Sequence, residues 1–448
     1  MHFGKRMWIT AMALLAAITI PVQVVHAQVP KQPSKYYVFN LGTAPFGGVP
    51  EPVGINNLGW ISGGDNLASN TSVHAVLWVG VPMDLGTLGG PNSNVSWPNH
   101  STKGEIVGIA ETAEQNPLGE AWSCSAFFFG PDGYVCNGFA WQDGVMTALP
   151  PFPGGIDSYA AGVNNKGQVV GWAENGVHDP TCNNAPPFSQ VLQFEAVIWG
   201  PRLNQMTQLP SLSPDPDSAA TAINDKGQVV GISGLCSNAV GGASAEHALL
   251  WENGVPTDLG NIGGQAWNTP IAINNQGKIV GFGNISGDEN AAENPVAFIW
   301  TKANKMQEIP PYGTDTNNAA FDINEKGQVV GNSFNVNIGT SRATLWQNNT
   351  LNDLNTLVIQ PTSLYLTLGA GHQRCQRDHR KRNRHDHEPD CWFPRGSGIR
   401  RQWQSRHRGQ VHRGSQPPSG RSHRTYARAA PCLYSHDAGG CGDKMIGG

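Results

Sequence analysis

Short runs of β-branched, aromatic and small apolar residues, each closed by Asn, Asp, Gly or Pro, recur along most of the chain. In residues 219–233, AATAINDKGQVVGIS, two such runs flank Asn-Asp-Lys-Gly, residue types that tolerate positive φ, and the segment predicts a hairpin. In residues 247–260, HALLWENGVPTDLG, Asn253-Gly254 lies between two further runs and predicts a second hairpin, echoed by Asp143-Gly144. Together the two hairpins give four consecutive strands. With 55 Gly and 32 Pro among 448 residues, long helices are not expected.

The same order returns six times. A first motif reads GINNLGWISG at residues 54–63, GVNNKGQVVG at 162–171, AINDKGQVVG at 222–231, AINNQGKIVG at 272–281 and DINEKGQVVG at 322–331, with a worn copy, NHSTKGEIVG, at 99–108. Its glycine recurs as Gly59, Gly167, Gly227, Gly277 and Gly327, where turn geometry explains it. A second motif ends on Trp78, Trp141, Trp199, Trp251, Trp300 and Trp346, and a third follows it, as in MDLGTLGG (83–90) and TDLGNIGG (257–264). A unit of about 45 to 63 residues with one buried face cannot be stable alone and must stack on its neighbours. The expected fold class is therefore all-β, a β-propeller of four-stranded blades with six blades present and the recurrent Trp in the apolar layer between blades. A β-solenoid is the alternative, but its rungs are usually shorter and lack tight hairpins.

The two ends differ in character. Residues 36–42, YYVFNLG, read as a third motif with nothing before it, the orphan outer strand with which a propeller closes its ring by pairing with the far end of the chain. The far end is instead an Arg- and His-rich tail, residues 369–448, with 16 Lys+Arg against 6 Asp+Glu, where residues 1–368 hold 13 against 27. Joining the last two bases of each codon to the first of the next, from His372 onward, permits Ile-Asn-Asp-Ala-Arg-Glu-Ile-Thr-Gly, a match to the first motif at the spacing the repeat requires. The tail is expected to be a frameshifted, disordered replacement for a seventh blade. A genuine basic tail that binds nucleic acid or an acidic partner is the alternative.

Lys5-Arg6, the apolar residues 7–20 and a small-residue site at Ala27 predict a signal peptide at 1–27 and an exported body at 28–368. The apolar run falls short of the roughly 20 residues that a spanning helix needs, so no integral membrane span is expected in the mature chain. With 11 Lys+Arg against 27 Asp+Glu, the body disfavours nucleic acid and anionic membrane as partners. The expected location is extracellular, periplasmic or at the cell surface. Outside the tail, four cysteines remain, Cys124, Cys136, Cys182 and Cys236, all in long insertions between the second and third strands of units two to four. In an exported protein they are expected to pair, with Cys124–Cys136 and Cys182–Cys236 the more economical of three connectivities.

The segments HAVLW (74–78) and HALLW (247–251), with DLGTLGG (84–90), resemble the HAF-repeat family of extracellular bacterial proteins over roughly residues 36–368. The resemblance implies a secreted repeat protein without an assigned activity and transfers no catalytic residue. Units two and three depart from its third motif with Ala148-Leu149-Pro150 and Gln208-Leu209-Pro210.

Candidate chemistry is sparse. His74 and His247 share one repeat position, which points to strand-end hydrogen bonding, and Asp84, Asp258 and Asp353 recur at another, which points to turn capping. The single-copy groupings, His178 with Asp179 and Asp288-Glu289 with Glu293, lie in polar insertions and read as solvated loops. No catalytic residue, cofactor or metal is expected. The functional expectation is a binding or interaction module for an extracellular carbohydrate or protein, monomeric if the ring closes, with Trp97 and Trp122 on exposed ligand loops. A propeller-borne lyase or hydrolase and a non-functional copy are the alternatives. Resequencing the DNA across the codon for Gly371 tests the reading of the tail: a shifted frame should restore the first motif there, and its absence from every frame removes that account.

Overall fold

The computed structural model describes residues 35–42, 50–67, 72–125, 127–128, 133–182, 189–236, 245–287, 295–359, 365–374, 431–436 and 444–447, the strands from residue 371 onward by their backbone alone. Six four-stranded antiparallel sheets follow one another along the chain as the blades of a propeller, covering residues 50–84, 89–149, 158–209, 217–258, 263–309 and 317–353. In each, chain order is sheet order; the third blade runs Ser158–Val163, Val169–His178, Leu192–Trp199, Met206–Leu209. The predicted signal peptide lies outside the described residues. Among the described residues no helix is long and apolar enough to cross a membrane.

The first motif explains both the hairpin within a blade and the junction between blades. Asn164 Oδ1 accepts the backbone N–H groups of Lys166 and Gln168, at 2.9 and 3.1 Å, closing the turn. The repeated glycines of that turn all hold positive φ, between 74° and 84°, where a Cβ would be strained. The other end of the same amide reaches the next blade: Asn164 Nδ2 donates to the Asn224 carbonyl, Asn224 to Asn274, and Asn274 to Asn324, each at 3.0 Å. Asn56 makes the equivalent bond to the carbonyl of Ser101 in the worn copy, at 2.8 Å. The following residue adds a parallel chain of bonds, from the backbone N–H of Asn165 to Asp225, of Asp225 to Asn275, and of Asn275 to Glu325.

A second latch joins the opposite ends of the blades. Ser158 and Ser218, at the start of their inner strands, and Ser93, near the end of Gly89–Asn94, accept the backbone N–H of Gly138, Ala196 and Ala75 in the preceding blade's third strand, and Asn318 does the same for Ala297. Between the latches lies an apolar layer built around the recurrent Trp: Trp199 packs with Val107, Ala140 and Leu149 of blade two, and Trp251 with Val170, Ala196 and Leu209 of blade three. The indole N–H also hooks the end of the preceding blade's outer strand, Trp199 to the Pro150 carbonyl at 3.0 Å and Trp251 to that of Pro210 at 2.8 Å. Trp78 does the same to Gly42, at the end of the orphan strand, at 3.3 Å. The Leu-Pro that stands for Leu-Gly in units two and three keeps the carbonyl that this hook needs.

The orphan strand, Lys35–Asn40, pairs antiparallel with Pro431–His436, Lys35 opposite His436 and Asn40 opposite Pro431. Lys444–Gly447 and then Gly371–Arg374 complete a seventh four-stranded sheet. The tail, expected without strands, thus contributes three short ones. Its middle strands are out of chain order, unlike those of the six blades. The unpaired edge of the first strand explains this, because backbone pairing needs only a β-prone run such as Cys432-Leu433-Tyr434 and no repeat motif.

Asn224 is buried and uses its amide for three bonds within its turn and one to the next blade. Asn224→Ala should destabilise the protein by about 4 kcal/mol, roughly 1 for each lost bond. Val255→Thr, at an exposed strand position, should change stability by less than about 0.5 kcal/mol. Urea denaturation of the two variants measures both.

Candidate functional site

The inner strands line an axial channel with two unlike ends. At the end that carries the insertions the channel widens into a cavity of about 370 Å³, which Val53, Ala161, Thr221, Ile271, Phe321 and Ala370 border from six ring positions. Its wall is aromatic on two sides. Blades two and three supply Trp97, Trp122, Phe127, Tyr159 and Trp172; blade five supplies Trp267 and Phe282. Tyr159 stacks between Phe127, at 4.7 Å between ring centres, and Trp172, at 6.1 Å, while Trp267 stands edge-on to Phe282 at 5.0 Å. No charged, His, Asn or Gln side chain lines the cavity among the described residues. The hydroxyls of Tyr159 and Ser96 and the indole N–H of Trp97 are buried, the two hydroxyls next to each other. Burial holds the Tyr159 phenol neutral, its pKa pushed up.

This corrects the expectation for two residues. Trp97 and Trp122 do not stand on exposed polar loops but are partly buried against Tyr159, Trp172 and Phe194. Rings of that size gain too much from burial to be left in water when an apolar wall is within reach. Trp122 opens a one-turn helix, Trp122–Ser125, which the Cys124–Cys136 disulfide ties to the third strand of blade two. A second disulfide, Cys182–Cys236, joins the insertions of blades three and four. Both cysteine pairs lie close to a carboxylate, Glu111 and Asp179 respectively, but as disulfides they offer no thiolate to a metal.

The opposite end is narrow, about 50 Å³, and ringed by the paired Asn positions of the first motif. His100 Nε2 stands 3.2 Å from Asp322 Oδ1 there, a contact between blades two and six. Both residues break the repeat: His100 replaces Ile55, Val163, Ile223, Ile273 and Ile323, and Asp322 replaces Gly54, Gly162, Ala222 and Ala272. Burial works against protonation of His100, but the charge and hydrogen bond of Asp322, with Glu325 and Asp225 nearby, outweigh it and raise its pKa.

The remaining candidates serve the framework. His74 meets Asp84 at 2.9 Å and His247 meets Asp215 at 2.8 Å, and Arg342, in the same repeat position, pairs with Asp315. Asp84, Asp258 and Asp353 each accept the backbone N–H two residues on. His178 is exposed, but Asp179 is buried, against the expectation of a solvated loop. It holds the turn into Cys182 through the Thr181 N–H at 2.7 Å and is hydrogen-bonded to Asp217. Asp288, Glu289 and Glu293 lie outside the described residues.

Sequence reasoning passed over a set of buried carboxylates behind the aromatic wall. Burial pushes Asp217 up to about 9, reinforced by its hydrogen bond with Asp179, and pushes Glu195 up to about 7. Burial and then the neighbouring carboxylate raise Glu174 to about 8 and hold Asp157 well above the usual carboxylate range. A signal for Asp157 and Asp217 existed, since both stand where Asn92 and Asn317 stand in blades two and six.

The fold and channel define a β-propeller protein. No family model matches the chain, and no curated protein is similar to it. Among solved structures it is similar to an acylaminoacyl peptidase of Pyrococcus horikoshii, with 13% identity and a TM-score of 0.38 over 68% of this chain and 45% of that one. It is also similar to dipeptidyl peptidase 4 of Porphyromonas gingivalis, with 9% identity and a TM-score of 0.29 over 74% of this chain and 48% of that one. The chain thus spans less than half the length of either, and no residue role is carried over from them.

Asp217 binds its proton more tightly folded than unfolded, so its contribution to stability is complete below its ordinary pKa of 3.8 and is lost as pH rises to about 9. Asp217→Asn, which copies Asn92 and Asn317 and can still donate to Asp179, should lessen the fall in unfolding free energy between pH 5 and pH 9. Urea denaturation at pH 5, 7 and 9 measures it; an unchanged slope would mean that Asp217 titrates alike in both states.

Proposed function

We propose that the protein is an exported binding module that takes a small, largely apolar, ring-bearing molecule into the wide end of its axial channel. The observation that carries the proposal is the aromatic cavity, in whose wall no described residue carries a charged or amide side chain. Its volume falls within the range of small-molecule sites, and its stacked and edge-on rings offer flat faces to a flat ligand. A saccharide bears a hydroxyl on most ring carbons, and this wall would leave those hydroxyls unpaired at a cost of about 1 to 3 kcal/mol each. Hydrolysis has less support, because no described residue at the roomy end carries a carboxylate or imidazole, while the end with His100 and Asp322 has space for little more than water. Export is supported by the leader-like residues 1–27 and by the two disulfides, which persist in an oxidising compartment. Membership of the HAF-repeat family, resting on the three motifs, belongs to the same proposal.

Calorimetric titration of the full chain with 2-naphthol and with a disaccharide tests it. 2-Naphthol should bind saturably, and Trp172→Ala should weaken it about tenfold, the worth of one aromatic contact of about 1.4 kcal/mol. Trp346→Phe, at a blade junction away from the cavity, should not. Saccharide binding in preference, or naphthol binding indifferent to Trp172→Ala and Phe282→Ala alike, would overturn the proposal.

A further inference from the structure

The net charge of the body, which by itself disfavours an anionic partner, conceals a separation of charge along the ring axis. Within the six blades, the segments that join first to second strands and third to fourth strands meet at the narrow end of the channel. Gln142, at the end of a third strand, donates from Nε2 to the Lys103 carbonyl at 3.2 Å, and Gln228 Nε2 donates to Glu252 Oε1 at 2.7 Å. These segments hold seven Lys+Arg against four Asp+Glu. Five of the cations, Lys103, Lys166, Lys226, Lys278 and Lys326, stand in first-motif turns, and Arg202 and Lys302 stand in the other turns of blades three and five. The segments at the wide end, which join second to third strands and one blade to the next, hold ten Asp+Glu and no Lys or Arg.

The carboxylates of the narrow end are engaged by the framework. Asp225 accepts from the backbone N–H and amide of Asn165 and from the amide of Asn275, Glu325 accepts the Asn275 N–H, and Glu105 is buried. The cations are left to solvent: among the described residues none of the seven side chains makes an ion pair or a hydrogen bond, and six are exposed, with Lys278 half-buried. Inner strands of six residues, such as Ser158–Val163, set the two ends about 20 Å apart, beyond a Debye length of about 8 Å, so the acidic end does not cancel the cationic one.

Their arrangement selects the partner. The seven cations come from blades two to six around the axis, which matches a plane of negative charge rather than a line. Exposed apolar side chains stand among them. Leu58, 52% exposed, takes the place of Lys166 and Lys226 in the turn of blade one, and Val81, 67% exposed, lies in that blade's other turn. Val145 and Val255 follow the corresponding turns of blades two and four, each 63% exposed. Cations interspersed with exposed apolar groups are what a peripheral protein presents to lipid headgroups. Among the described residues no exposed aromatic ring stands with them, as binding of single-stranded nucleic acid would require. We propose that the narrow end of the propeller docks on an anionic lipid surface, which turns the mouth of the aromatic cavity away from the membrane.

Co-sedimentation of the full chain with vesicles of phosphatidylglycerol and phosphatidylcholine, and with vesicles of phosphatidylcholine alone, tests it. Wild type should partition onto the mixed vesicles and not onto the neutral ones, and raising the salt from about 50 mM to about 500 mM should release it. Each Lys neutralised near the surface should weaken partition about fivefold, so Lys166→Gln, Lys226→Gln and Lys326→Gln together should weaken it about 100-fold. These three side chains hold no other group, so the triple variant should melt within about 2 °C of wild type. Failure to bind the mixed vesicles, or equal binding to both kinds, would overturn the proposal. A triple variant that binds like wild type would overturn it too, placing the binding in the Arg-rich residues 369–448. Capture by polyglutamate without vesicle binding would make the partner an acidic polymer instead of a lipid. The readout is independent of any ligand in the cavity.

Discussion

The six motif-bearing blades are separate sheets, so their ring depends on side chains that bond to the backbone of the next blade. The motif Asn does this with one amide: its oxygen closes its own turn and its nitrogen crosses the junction. Removing either half would leave buried backbone groups unpaired, which explains why the residue type returns at a fixed place in the turn. The Ser or Asn at the other end of the inner strand and the Trp hook add two further fixed points where they are made, as between blades three and four. The apolar layer between them supplies the larger share of the burial energy, but it is non-directional and cannot by itself set the angle between blades.

That same regularity made the fold legible and the site illegible. A repeated Asn, Gly or Trp announces itself, and the hairpins, the blade count and the closing strand all followed from repetition. The cavity comes from departures within the repeat. Trp172 and Phe282 stand where Ile109, Ile232 and Asn332 stand in other blades, and Tyr159 where Ala219 and Ala319 do. Each is an ordinary core substitution when read alone. Only the ring brings blades three and five to one cavity, and no local spacing encodes that. His100 and Asp322 were hidden in the same way, one in a worn motif and the other in an intact one. Glu120 and Gln190, in insertions without counterparts, had no repeat position from which to be read.

The wall and the carboxylates behind it belong to one design. A cavity bounded by eight aromatic residues is a low-dielectric region, and negative charge placed against it is costly. The protein nevertheless sets Asp157, Glu174, Glu195 and Asp217 in its immediate support, where burial raises each pKa. Backbone N–H groups stabilise these carboxylates only in part. A shared proton satisfies Asp179 and Asp217, whose Oδ2 atoms have no other donor. In the cluster of Glu120, Asp157 and Glu174 the side-chain amides of Asn116 and Gln190 donate between the carboxylates, and backbone N–H groups supply the rest.

The seventh ring position separates what the repeat dictates from what an open edge permits. Up to Ala370 the chain keeps the ring register: the Ala343 N–H bonds to the Leu366 carbonyl at 2.8 Å, the Gly369 N–H bonds to that of Gly331 at 2.9 Å, and Ala370 reaches the cavity beside Val53 and Phe321. Ala370-Gly371 also repeats Ala161-Gly162 in sequence. Beyond it, the first and second motifs do not recur in the sequence, and the sheet is completed by runs whose order in space differs from their order in the chain. The repeat therefore specifies six motif-bearing blades, and the seventh position is completed by strand pairing along the open edge of the first strand. The change from specification to filling falls at the residue where the composition turns from acidic to Arg-rich, which ties the structural discontinuity to the sequence discontinuity.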